Sequence, residues 1–199
     1  MKIVSLLSIL FLYTLIACDS GVKPEGQKAT FGIYEIVRIS EIPDSIIVFL
    51  KTLKVQIEDN PQEPIIGFIS KTDTLALLVD LSNENLKLVR TVFTVDIGQK
   101  HHAVFAIRSK PAIDNSHIKK TSTSGNSVVI RFTTEGAREW SRLTKINLGN
   151  VVVFVIDNQV YSMPVIRAEI KNGVAVIQNL PSEKTANNIS KALNSGIRW

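Results

Sequence analysis

Hydrophobic and polar positions follow the clearest pattern in the last third of the chain. Residues 126–132 are rich in β-branched side chains, which predicts a strand, and residues 133–137 open a helix with Thr134 as its expected N-cap. Apolar side chains then recur at helical spacing and predict a stripe that faces a core: Trp140, Leu143, Ile146 and Leu148. The pattern therefore predicts a strand followed by an amphipathic helix.

Two further strands are predicted after this helix. Residues 151–156 form an apolar run typical of a buried central strand, and a turn is expected at Asp157. Residues 160–170 predict the next strand, which is interrupted near Met163 and Pro164. A proline within a strand is expected at an edge or a bulge, so this strand is predicted to lie at an edge of its sheet.

A hairpin and a closing helix complete the region. Asn172-Gly173 predicts a type I′ turn, because both central residues of that turn need positive φ, and residues 174–177 return from it. The last helix is expected to begin near Pro181 and to end at Gly196, with one apolar face: Ala186, Ile189 and Leu193. The order β-α-β-β-β-α predicts an α+β fold of the ferredoxin-like type, with two helices on a mainly antiparallel sheet.

Residues 30–110 predict a smaller α+β unit that precedes this region. Alternation predicts a strand at residues 31–39, and a helix is expected to follow Ser40, with apolar residues at helical spacing between Ile46 and Ile57. Further strands are expected at residues 65–69, 75–80, 86–96 and 103–108. A change of composition near residues 111–125 predicts the border between two domains, residues 30–110 and residues 111–199.

The first 17 residues have the pattern of a lipoprotein signal peptide. Residues 3–16 are apolar but fall short of the roughly 20 residues that a membrane-spanning helix needs. They lead into Leu-Ile-Ala-Cys, a lipobox that ends at Cys18, which is the only cysteine of the chain. We expect cleavage before Cys18 and its modification with fatty acyl chains such as palmitate, with residues 18–29 as a polar tether. The alternative is an ordinary signal peptide or anchor with an incidental cysteine.

Charge and motifs exclude several classes of protein. The net charge is +5, but the basic residues are scattered and are not interleaved with aromatic ones, so nucleic acid is not an expected partner. The sequence lacks the nucleotide-binding, serine-hydrolase and zinc-protease motifs. His101 and His102 are adjacent on a predicted strand and would point to opposite faces, while His117 lies apart from them. We therefore expect neither an enzyme nor a bound metal or cofactor.

Residues 134–193 also carry an ordered set of short motifs. A helix begins with Thr-Glu-Gly-Ala and ends with Thr-x-x-Asn-x-Gly, an apolar strand leads into Asp, a Pro-centred strand follows, and Ile-x-Asn-Gly precedes the last strand. The residues are Thr134, Glu135, Gly136, Ala137, Thr144, Asn147, Gly149, Asp157, Pro164, Ile170, Asn172 and Gly173. This set resembles the head subdomain of the first, large periplasmic domain of SecD, in the SecD/SecF protein-export family. The resemblance implies structural roles for the motif residues Gly136, Ala137, Thr144, Asn147, Gly149, Asp157 and Gly173.

The resemblance also implies limits. SecD continues into a base subdomain and six membrane-spanning helices that carry proton-coupled export, whereas this sequence ends at Trp199. It also has Gln178-Asn179 where the family has a glycine. We therefore expect that this chain does not run the proton-driven cycle by itself, and that the resemblance extends to the fold and to the capture of polypeptide.

Three functions remain open at this point. The favoured one is a non-catalytic accessory lipoprotein of protein export or envelope polypeptide handling, which would contact unfolded chains or translocon subunits. Strand addition at an edge beside Tyr161, Met163 and Pro164 would provide its binding site, although such a proline more commonly protects an edge from aggregation. The second is an interaction module that docks another envelope component. The third, a small hydrolase or ligand-binding protein, is disfavoured by the missing catalytic set.

Overall fold

The computed structural model describes residues 29–60, 62–73, 80–81 and 85–195. These residues do not include the expected signal peptide, Cys18, most of the tether, residues 75–79 of the strand expected at 75–80, or the helix end expected at Gly196. Helices and strands of the described part have the following bounds: β1 Phe31–Val37, α1 Asp44–Thr52, β2 Gln56–Ile57, β3 Gly67–Ser70, β4 Asp80–Leu81, β5 Leu86–Thr91, β6 Val95–Asp96, β7 Lys100–Arg108, β8 Ile113–Asp114, β9 Ile118–Ser124, β10 Ser127–Phe132, α2 Thr134–Ile146, β11 Val152–Ile156, β12 Gln159–Ser162, β13 Val174–Ile177 and α3 Glu183–Asn194.

The larger of two sheets closes on itself. Its order is β2-β3-β7-β1-β11-β12-β5-β4, and β5 pairs with β7 as well as with β12. The strands β7, β1, β11, β12 and β5 therefore form a ring, in which only the β12–β5 pair is parallel. A cluster of apolar side chains contributed by all five strands fills this ring: Tyr34, Val89, Ala103, Phe105, Ile107, Val153, Val155 and Val160.

The smaller sheet has the order β13-β10-β9 and is antiparallel. Its inner face packs with α2, α3 and the outer side of the ring around Trp140, which is 2% exposed. The Trp140 ring meets Phe154 of β11 edge-on and is tilted against Phe132 of β10. These contacts join the two sheets through one hydrophobic core.

The α+β class and the order of elements from β10 to α3 are confirmed. The strands of this region are nevertheless divided between two sheets: β10 and β13 lie in the small sheet, while β11 and β12 lie in the large one. The β11 strand pairs along most of its length with β1, which comes from the first half of the chain. The predicted border between two domains near residue 110 stays a prediction, and strands from both sides of it share the large sheet.

Local details differ from the sequence predictions in four places. The N-cap of α2 is Thr133, whose hydroxyl accepts from the Gly136 N–H, and not Thr134. Ile146 and Leu148 are about half exposed and do not extend the apolar stripe into the core. The helix α1 begins at Asp44 and ends before Ile57, which lies in β2. Asn172-Gly173 forms no type I′ hairpin, because Asn172 has no positive φ and β13 pairs with β10 instead of with the preceding segment.

Candidate functional site

Within the described part of the chain, the strand β13 pairs with another strand on one side only, and its other side is here called the free edge. It pairs with β10, and the register places Ile130 opposite Ala175 and Val128 opposite Ile177. The Phe132 N–H donates to the Gly173 carbonyl, so alternate residues from Gly173 onwards face β10. Because hydrogen-bonded and non-bonded pairs alternate in antiparallel strands, the backbone groups of Val174 and Val176 point to the other side.

The opposite edge of the same sheet is covered. The side-chain amide of Asn194 on α3 accepts from the Thr121 N–H at 2.8 Å and donates to the Thr121 carbonyl at 3.2 Å. The Thr121 hydroxyl also contacts Ser190, and Thr123 contacts Asn187. This helix therefore replaces a neighbouring strand along β9, whereas β13 has no such partner among the described residues.

The segment of residues 164–170, here called the wall, runs beside the free edge without pairing with it. Its backbone bonds go to α2, to the turn after it and to the start of β11, where the Val152 N–H donates to the Pro164 carbonyl. The Ile170 N–H donates to the Thr144 hydroxyl at 2.9 Å, and the Gly149 N–H donates to the Ile166 carbonyl at 2.8 Å. The Ile166 N–H donates to the Asn150 carbonyl. The wall is held by these partners, and it does not form the predicted hairpin with β13.

A groove of about 510 Å³ lies between the wall and the free edge of β13. Trp140 and Phe154 contribute to its floor, and its lining is apolar apart from Arg167 and Asn172. The remaining lining residues are Pro164, Val165, Ile166, Ala168, Ile170, Val174, Ala175 and Val176. An open strand edge beside an apolar groove can hold an extended polypeptide through backbone bonds and one or two apolar side chains.

Part of the free edge is already occupied. The indole Nε1–H of Trp140 donates to the Val174 carbonyl at 3.1 Å, and the Val174 N–H donates to the Asn172 side chain. The N–H and carbonyl of Val176 are the backbone groups that remain at this edge within β13. An incoming chain would therefore pair at Val176.

Close packing sets the position of β13 against α2. Gly173 has a φ of +64°, and a Cβ added there would lie 2.8 Å from the Cβ of Ala137. A Cβ added at Gly136 would lie 2.6 Å from the His117 carbonyl oxygen. These motif residues thus lie where the helix approaches neighbouring backbone most closely.

The other motif residues join the head region to the first half of the chain. Asn147 donates to the Glu35 carboxylate of β1 and to the Leu143 carbonyl, and Gly149 has a φ of +78°. Asp157 lies in the two-residue turn between β11 and β12, as predicted, and has positive φ. Its carboxylate accepts both the N–H and the hydroxyl of Thr30.

The three residues predicted to bind polypeptide lie in different environments. Tyr161 is 5% exposed, and burial followed by the charge of Asp157 raises its pKa to about 12. It is the extra residue of a bulge between β11 and β12, and β5 covers the edge of β12 just before it. Met163 is half-buried against the ring cluster, and Pro164 lines the groove. The open edge therefore belongs to β13. The sequence predicted it at β12.

The sequence reasoning missed Val176 and the wall. Thr144 and Gly149, for which the resemblance implied structural roles, bind the wall through Ile170 and Ile166. Trp140 was assigned to the core, and the structure places it both in the core and at the floor of the groove.

A second cleft, of about 410 Å³, lies between β1 and the turn after α2. Its charged groups already have partners: Arg108 contacts Glu41 at 3.1 Å, and Arg38 contacts Gln62 and Asn150 at 2.9 Å. Among the described residues, no group of three or more His, Cys, Asp or Glu side chains could hold a metal ion. The groove beside β13 is therefore the better candidate site.

Comparison with known proteins identifies the family. Residues 91–197, more than half of the chain, match the family model of the SecDF P1 head subdomain. The chain belongs to the SecDF P1 head family. The match includes α2, β11, the wall and β13, whose residues line the groove.

Relatives of this P1 head chain are protein translocase subunits. The SecDF subunit of Thermus thermophilus is 42% identical over 69 residues, which are 35% of this chain and 9% of that protein. The SecD subunit of Rhodothermus marinus is 36% identical over 118 residues, which are 57% of this chain and 19% of that protein. The chain thus spans less than a fifth of the length of both relatives.

Solved SecDF structures are also similar to the P1 head chain. One, described as a membrane component that enhances protein export, has a TM-score of 0.49 at 22% identity, covering 86% of this chain and 64% of that one. Within the described part of the P1 head chain, no helix combines the length and apolarity needed to cross a membrane.

Proposed function

We propose that this protein is a non-catalytic accessory in protein export or in polypeptide handling at the bacterial cell envelope. In this proposal it binds unfolded or extended chains at the groove beside β13. The single observation that carries the proposal is the free β13 edge, which runs along an apolar groove while the other edge of the same sheet is covered by α3. Membership of the P1 head family supports it.

The proposed binding mode is strand addition. Val176 would exchange two backbone hydrogen bonds with the incoming chain, and alternate side chains of that chain would point into the groove. Each hydrogen bond contributes about 0.5–1.5 kcal/mol, and each buried apolar side chain about 1.5–3 kcal/mol. The loss of translational and side-chain freedom opposes these gains, so we expect weak and reversible binding. Such binding tolerates many sequences, because most of the contacts are made by backbone.

The predicted binding residues keep different roles in this proposal. Pro164 forms part of the wall, and its missing N–H leaves no donor there that would pair with β13. Tyr161 and Met163 support the wall from the interior and do not themselves contact the polypeptide.

We also propose that Cys18 anchors the protein by lipid chains to the extracytoplasmic side of a membrane. Each buried CH₂ of an acyl chain contributes about 0.8 kcal/mol, so several chains would hold the domain stably where one would not. Translocon subunits are then possible neighbours on the same membrane.

Photo-crosslinking in cells tests the proposal. A photoreactive residue at Val165 reports on the groove, and the same residue at Val48 of α1, which is equally an exposed apolar position, serves as the control. We expect a spread of exported polypeptides from Val165 and not from Val48. Equal capture at both positions, or a single folded partner at Val165, would contradict polypeptide binding in the groove.

A backbone substitution makes this test specific. Val176→Pro removes the N–H of the β13 edge that has no partner among the described residues, without removing a bond to β10, and Val176→Thr keeps the N–H with a similar shape. Capture at Val165 is expected to fall with the proline and to persist with the threonine.

A further inference from the structure

The groove is bordered by cations that have no acidic partner among the described residues. Arg167 lies in the wall, is exposed and forms no ion pair with another described residue. On the other side of the free edge, Arg131 of β10 is the cross-strand partner of Val174 and is also exposed. Arg167 therefore lines the groove, and Arg131 lies one strand away from it on the exposed face of the small sheet.

The sheet beside the groove adds a third cation. Arg131 is directly opposite Lys120 of β9, and both side chains are exposed. Like charges at directly opposite positions destabilise a pair of strands, so this arrangement weakens the free protein slightly. An anionic group held near Arg131 would relieve that repulsion.

The acid of the wall does not neutralise these cations. The Glu169 carboxylate accepts the Ser141 hydroxyl at 2.7 Å and lies 3.5 Å from the Lys171 ammonium. The hydrogen bond from Ser141 lowers the pKa of Glu169, and the charges of Lys171 and Lys145 act in the same direction. Glu169 is therefore ionised at neutral pH, but two lysines already surround it, and the borders of the groove remain positive.

We propose that the groove selects extended polypeptide segments in which an apolar residue is accompanied by Asp or Glu within two positions along the chain. The inference rests on the proposed function and adds a preference in charge to it. Residues two apart in a strand are about 6.6 Å apart and lie on the same face, while adjacent residues point to opposite faces. Either spacing brings a carboxylate within reach of a long arginine side chain when the apolar residue occupies the groove.

Binding of three labelled, unstructured peptides to the full chain in detergent tests this preference. The peptides share length and apolar residues and differ only in their flanking side chains, which are aspartate, serine or lysine. Fluorescence anisotropy is expected to give the tightest binding for aspartate and the weakest for lysine. We expect the Kd of the lysine peptide to be about threefold to tenfold higher than that of the aspartate peptide, which is the range that one or two exposed charge pairs provide. The difference should vanish near 1 M salt, where the Debye length is about 3 Å.

Reversing the charge of Arg167 tests whether the charge preference arises at the groove. Arg167→Glu is expected to favour the lysine peptide, whereas Lys51→Glu on α1, an exposed reversal away from the groove, should leave the order unchanged. Equal binding of all three peptides, unaffected by Arg167→Glu, would refute the charge preference and leave polypeptide binding intact. Failure of all three peptides to bind would refute both proposals.

Discussion

Replacing Gly173 with alanine is expected to introduce two separate strains at the start of β13. The φ of +64° is left-handed, a conformation that costs an L-residue about 1–2 kcal/mol. The new methyl group would also lie 2.8 Å from the Ala137 Cβ, and such overpacking typically costs about 1–3 kcal/mol. We therefore expect Gly173→Ala to lower the free energy of unfolding by about 2–5 kcal/mol, measured by chemical denaturation.

Two further variants separate the strains. Gly125, in the β9–β10 turn, also has positive φ, but a Cβ there would meet nothing within 4 Å. Gly125→Ala therefore measures the conformational cost alone. Ala137→Gly costs about 1 kcal/mol in a helix by itself but removes the methyl group that the alanine at position 173 would strike.

The double variant is the decisive measurement. If the contact exists, Ala137→Gly and Gly173→Ala together will destabilise the protein by about 1–3 kcal/mol less than the sum of the single losses. Additivity within about 0.5 kcal/mol would refute the close approach of β13 to α2. An unchanged stability in Gly173→Ala would refute both parts of the reasoning.

Two other predictions concern the wall and the residue beneath it. Thr144→Val keeps the shape of a fully buried side chain but removes the acceptor of the Ile170 N–H, so we expect the free energy of unfolding to fall by about 1–3 kcal/mol and hydrogen exchange at Ile170 to become faster. As the control, Thr144→Ser should retain both properties. Unchanged exchange in the valine variant would contradict this role. Because the pKa of Tyr161 is raised to about 12 in the folded protein, its ionisation favours the unfolded chain. The contribution of neutral Tyr161 to the free energy of unfolding should be fully present below about pH 10. The free energy of unfolding should then fall by up to about 2–3 kcal/mol as the pH approaches 12. Tyr161→Phe should make this fall shallower, and an identical alkaline profile in denaturation experiments would show that the Tyr161 hydroxyl is not buried.

Local patterns predicted the elements of the last third of the chain well. The spacing of Trp140 and Leu143 predicted the buried face of α2, and Ala186, Ile189 and Leu193 are buried on α3 as expected. Helical periodicity and β-branched runs depend on neighbours in sequence, so they can be read from the chain alone.

Pairing between distant segments could not be predicted in this way. Asn172-Gly173 marks a bend with positive φ at Gly173, but the segment before it bonds to Thr144, Gly149 and Asn150 and not to β13. The bulge at Tyr161 likewise depends on the register with β11. The sequence therefore placed the candidate site on β12 of the large sheet, whereas the open edge is on β13 of the small sheet, and Pro164 is the residue common to both sites.

The position of β1 in the ring has a consequence for how the chain reaches its folded state. This strand is made early, yet its neighbour β11 comes much later, and Thr30 and the Asp157 that accepts its N–H are 127 residues apart. Native contacts over such separations slow folding, because a long loop must close before they form. A chain synthesised from its N-terminus thus has a β1 without its β11 partner until most of the protein has been made. The ring therefore cannot close until β11 and β12 have been made.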